Sequence, residues 1–68
     1  MLNNTVKSFV TGFRAASLAE YLAKNNINSR VTQERWTNKK LPPPPFVVCV
    51  SETDANRAKE LAAEKGTW

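Results

Sequence analysis

The sequence contains no histidine, one cysteine and two glycines in 68 residues. Without histidine there is no imidazole for acid/base work at neutral pH and none for metal ligation. A single cysteine cannot build a disulfide framework, and two separated glycines cannot form a glycine-rich phosphate loop. Most enzyme readings fall with these absences, and the expectation is a chain without catalytic residues, metal or cofactor. No apolar run approaches the roughly 18 residues that a spanning helix needs, so membrane insertion is not expected. The opening Met1-Leu2-Asn3-Asn4-Thr5-Val6-Lys7 lacks the charged start and apolar stretch of a secretory signal, which makes the cytoplasm the expected location.

What is present is a small basic composition. At 7.6 kDa there is room for one domain, residues 1–68, and a chain this short buries only about 60% of its unfolded surface. Hydrophobic residues make up 41% and charged residues 24%, a globular rather than a disordered balance. Ten Lys plus Arg against six Asp plus Glu give a net charge of +4, which favours acidic partners without locating a site. Cys49 stands in the apolar run Phe46-Val47-Val48-Cys49-Val50 and reads as a small core residue in a reducing compartment.

Residues 5–11 are rich in β-branched and aromatic side chains and end at Gly12, which predicts a first strand, although Val6, Phe9 and Val10 do not alternate strictly. From Phe13 the period changes. Ala15, Leu18, Ala19 and Leu22 stand at helical spacing, and the helix is expected to stop at Asn25-Asn26, where asparagine tolerates the left-handed conformation. Residues 30–36 carry no helical stripe and predict a polar edge strand. Residues 37–45 then form a basic and proline-rich connection, in which Pro42-Pro43-Pro44-Pro45 hold a stiff segment of roughly 12 Å. Phe46 to Val50 are apolar at every position, the pattern of a central strand, and Ser51-Glu52-Thr53-Asp54 offer capping groups for a second helix whose stripe is Ala55, Ala58, Leu61 and Ala62, up to Gly66.

The order strand, helix, strand, strand, helix predicts an α+β fold. A right-handed crossover through the first helix makes strands one and two parallel and leaves a gap for strand three, giving the order 1-3-2 and most of a ferredoxin-like split β-α-β. Both helices then cover one face. Since strand three is apolar on both sides, the other face is expected to be covered by a partner, a second copy in a homodimer or the termini.

This pattern resembles a family of small bacterial and phage-borne domains described as prokaryotic signal-transducing proteins. The family's helix spacing A-x-x-L-x-x-x-L, ending near Gly-Ile, is matched by Ala15, Leu18, Leu22 and the Asn26-Ile27 pair. Its closing V-x-V-x-x-x-D-x-x-x-A-x-x-L is similar to Val48, Val50, Asp54, Ala58 and Leu61. The cytoplasmic N-terminal domain of bacterial rhomboid proteases is built similarly. Asn26 replaces the usual glycine, and the run Leu41 to Phe46 lies outside the family pattern. The resemblance implies a βαββα fold, a regulatory or adaptor role in signal transduction, and no catalytic residues.

Arg30, Arg35, Trp36, Lys39 and Lys40 fall within eleven residues that include one acid, Glu34. Such a stretch is either a solvated edge whose cations block aggregation or a contact surface, and Arg beside Trp serves protein hot spots and nucleic-acid stacking alike. No RNP-type aromatic pair or recognition helix accompanies it, which places a protein partner ahead of a nucleic acid. The proline tetrad is a rigid spacer or a ligand for an aromatic groove. Trp36 and Trp68 either fold under a helix or rim a partner surface. Glu52 and Asp54 read as helix-start acids, and Glu60 and Glu64 as a solvated helix face. The leading expectation is a non-catalytic protein-binding module acting through a sheet edge or face and the basic loop, with Arg30, Arg35, Trp36, Lys39, Lys40 and Trp68 at the contact. The alternative is a nucleic-acid binder using residues 30–40.

Overall fold

The computed structural model describes residues 2–66, so Trp68 lies outside the described residues. Its elements are β1 (Asn4–Phe9), α1 (Gly12–Lys24), β2 (Ser29–Gln33), β3 (Phe46–Val50) and α2 (Ala55–Lys65), the last entered through a 3-10 turn at Glu52–Asp54. The sheet order is β1-β3-β2, and both outer strands run antiparallel to β3. The α+β class, the single small domain and the strand order expected from the sequence are those observed.

Burial explains the two layers. Ala15, Leu18 and Leu22 of α1 and Ala58 and Ala62 of α2 form one buried cluster with Val48 and Val50 of β3, so both helices lie on the same face of the sheet. The spacing that predicted each helix is the spacing that packs it: i, i+3 and i+7 on α1, i and i+4 on α2. Small residues on α2 let it approach β1 closely, while α1 lies over β2. One sheet plus one helix layer gives the molecule its shortest extent of 15 Å.

The imperfect alternation of the first strand has a specific cause. The β1–β3 register is Thr5 with Cys49 and then Lys7 with Val48, so Val6 is an extra residue in a β-bulge. The bulge resets the phase of the strand, and Val6 and Phe9, three positions apart, both pack on the helix-side core. The strand is also shorter than expected. It ends at Phe9, Val10 is exposed, and Thr11 becomes the N-cap of α1, its Oγ1 accepting from the Arg14 N–H at 3.4 Å. At Gly12 the chain passes so close to the Phe46 ring that a Cβ would lie 3.3 Å from it.

The end of α1 follows the expectation from Asn25-Asn26 closely. Asn26 takes a left-handed φ of 63°, its N–H donates to the Ala23 carbonyl, and the Ile27 N–H donates to the Leu22 carbonyl at 2.9 Å. These two bonds are the Schellman arrangement, and they fold the buried Ile27 back under the helix. The start of α2 differs from expectation. No side chain caps it; Ser51 Oγ instead donates to Asp54 Oδ2 at 3.2 Å, and the 3-10 turn leads into the helix.

The face away from the helices is narrower in its apolar content than the sequence of β3 suggests. Val47 and Cys49 point there, and the register flanks them with Ser8 and Thr5 on one side and Thr32 and Arg30 on the other. Cys49 is a buried free thiol on this face, outside the main core cluster, although no helix covers it. The expected need for a cover therefore reduces to one short row of two residues between polar rows.

Candidate functional site

The register brings three chain segments to one end of the sheet. Phe9, Phe46 and Gln33 lie side by side across the strands, so the turn from β1 into α1 and the long connection from β2 to β3 leave from the same end. That connection is residues 34–45, because β2 stops at Gln33. Arg35 and Trp36 thus belong to the loop and not to the strand in which the sequence pattern placed them. Glu34 begins the loop, and proline cannot donate to the β3 ladder, so pairing does not resume until Phe46.

Trp36 organises this loop. Its indole Nε1–H donates to two carbonyl oxygens, those of Asn38 at 3.0 Å and Leu41 at 3.1 Å. The Leu41 N–H returns to the Asn38 carbonyl at 3.1 Å, which closes a four-residue turn, and Asn38 Oδ1 accepts from the Lys40 N–H. Lys39 and Lys40 stand at the tip of that turn, and Lys39 Nζ sits 4.0 Å from the centre of the Trp36 ring. The base of the loop is pinned by Gln33 Nε2, which donates to the Pro44 carbonyl at 2.9 Å. The proline run forms one wall of this loop. Between this wall, Trp36, Leu41 and Arg35 lies an open concavity of about 280 Å³. Pockets for drug-sized ligands run from about 300 to 1,000 Å³ and enclose most of the ligand, so this one lies at the small end of that range, open to solvent, and can take a side chain of a partner.

Two residues that the sequence reading left out of the site belong to this end. Val10 is 84% and Phe13 82% exposed, and with Leu41 at 59% and Trp36 at 38% they place four of the five large exposed hydrophobics of the described residues here. Phe13 stands off the Ala15-Leu18-Leu22 stripe of its helix, which is the sequence signal that could have found it. The fifth, Val31, lies on β2. Within residues 10–14 and 34–45 the cations are Arg14, Arg35, Lys39 and Lys40 against the single acid Glu34, a net +3 of the chain's +4. Arg30, the remaining predicted contact, stands apart on β2, opposite Cys49.

Other surfaces offer less. Lys24 and Glu20 form an exposed i,i+4 pair at 3.8 Å on α1. No group of three or more His, Cys, Asp or Glu side chains that could hold a metal occurs among the described residues, and no described helix is long and apolar enough to cross a membrane. Comparison with protein-family models, with curated proteins and with solved structures finds no match to this chain.

Proposed function

We propose that this protein is a non-catalytic protein-binding module whose contact surface is the sheet end carrying Val10, Phe13, Trp36 and Leu41. The observation that supports this reading is that four of the five large exposed hydrophobics of the described residues stand in segments 10–13 and 34–45, which leave the same sheet end and, with Arg14, carry a net charge of +3. Small monomeric domains seldom leave neighbouring large apolar groups in water without a use for them. An aromatic and arginine set ringed by lysines is the composition of interface hot spots, where the charge speeds encounter and the apolar groups supply affinity. The partner is accordingly an acidic surface with an apolar patch, and the role is regulatory or adaptor in kind, as the signal-transducing resemblance implies.

The nucleic-acid alternative draws on the same cations and on the same Trp36, one face of whose ring is taken by Lys39. The test is capture from native lysate by the tagged full chain, with and without nuclease, comparing the wild type with a Phe13→Ser/Leu41→Ser double variant. One stoichiometric protein, retained after nuclease and lost from the variant, is the expected result. A broad, nuclease-sensitive set with a steep salt dependence would turn the assignment to nucleic acid.

A further inference from the structure

The three-stranded sheet has two free edges, and they are not equivalent. β1 is interrupted by the bulge at Val6, with Lys7 beside it, so its backbone groups do not present the even ladder that an added strand needs. β2 pairs with β3 through five consecutive residues without a break, contains neither proline nor glycine, and has no strand among the described residues on its outer side. It is the edge left open for pairing.

Its charge selects among occupants. Ser29–Gln33 includes Arg30 and no acid, and the loop that continues directly from Gln33 adds Arg35, Lys39 and Lys40 against the single acid Glu34. A second copy brings two net-basic segments together, because Glu34 is the one acid in residues 29–40 against Arg30, Arg35, Lys39 and Lys40. An acidic strand from another protein does the opposite: alternate carboxylates face Arg30, while a β-branched or aromatic residue meets the exposed Val31. Continued past Gln33, the same segment reaches the concavity between Trp36, Leu41 and the prolines, which has room for one apolar side chain.

We propose that β2 accepts an extended acidic segment of a partner protein as a fourth strand, main-chain bonds along Ser29–Gln33 providing the grip and the loop beyond Gln33 reading an apolar anchor. This inference rests on the protein-binding assignment and adds to it the partner's conformation and charge. The probe is a library of random peptides displayed on phage and selected on the full chain, followed by amide hydrogen exchange of the chain with the best peptide bound. The selected peptides are expected to be rich in Asp and Glu alternating with β-branched or aromatic residues. Alternate amides of Ser29–Gln33 are expected to exchange at least roughly tenfold more slowly when the peptide is bound. Arg30→Glu, at an exposed position, is expected to weaken the acidic peptides by about tenfold and to leave the amide protection of the free fold unchanged.

Peptides without acidic bias, no selectable peptide at all, or protection confined to β1 would overturn the proposal. Protection confined to the loop and residues 10–13 would overturn it while leaving the protein-binding assignment standing. Displacement of the peptide by a single-stranded oligonucleotide at equal charge would overturn both.

Discussion

The two ends of the sheet treat their hydrophobic residues in opposite ways. At one end, where Asn4, Val50 and Ser29 lie in register, the chain turns twice, through Asn25–Asn28 and through Ser51–Asp54. Both turns are tight and self-bonded. The Schellman bonds close the first over the buried Ile27, and Ser51 holds Asp54 in the second. At the other end, where Phe9, Phe46 and Gln33 align, Val10 and Phe13 stand in water beside a loop of residues 34–45 whose hydrogen bonds mostly serve its own shape. The first end is made to finish the core. The second is tied by hydrogen bonds of its own without being buried, and order that does not arise from burial points to a surface kept in shape for contact.

The strongest way to break this comparison is to remove a side chain from the closed end. Ile27→Ala deletes a residue that is 2% exposed and leaves a cavity beneath the last turn of α1. The expected cost is about 3 kcal/mol, a fall in Tm on the order of 15 °C for a domain of this size. Thermal unfolding followed by circular dichroism checks it. A loss below about 1 kcal/mol would mean that the closed end collapses freely and is no better packed than the other.

At the open end the corresponding substitution is Trp36→Ala. It removes two hydrogen bonds to backbone carbonyls and the Lys39 contact, but these lie in a loop where water replaces them. Global stability is expected to fall by about 1 kcal/mol at most, since the loop opens separately from the ladder. Amide exchange in residues 34–45 is expected to rise sharply, while that of Val48 and Val50 stays slow. If the core amides accelerate in step with the loop, the loop is part of the cooperative unit and the contrast between the ends fails.

The closed end was more legible in the sequence than the open one, for a physical reason. Periodicity records burial, so the helical stripes and the unbroken apolar run of β3 announced the core, the two-layer arrangement and the 1-3-2 order. Asn26 announced the helix stop because few residues take a positive φ at low cost. The bulge at Val6 left a trace, the failure of Val6, Phe9 and Val10 to alternate, but its meaning depends on which β3 residues lie opposite. The basic loop was recognisable as composition, with Arg35, Trp36, Lys39 and Lys40 named. Its internal order was not, because the acceptors for Trp36 are backbone carbonyls that every residue carries. The placement of Val10 and Phe13 at the same sheet end as that loop follows from β1 and β2 both running antiparallel to β3.

Phe13 carries the smallest expected effect on stability and the sharpest consequence for the comparison. Its ring is 82% exposed on the first turn of α1, it stands off the buried stripe, and its neighbour Val10 is exposed as well. Surface substitutions of this kind change stability by no more than about 0.5 kcal/mol, and serine is well suited to a helix start. Phe13→Ser is therefore expected to leave Tm nearly unchanged while partner capture is lost. Because an aromatic group contributes to binding only by leaving water, a residue neutral in the free protein and decisive in the complex has to be one that the fold itself leaves exposed. A destabilisation above about 1 kcal/mol would instead show that the ring packs against the domain, and the open end would then be a second core margin with no surface to offer.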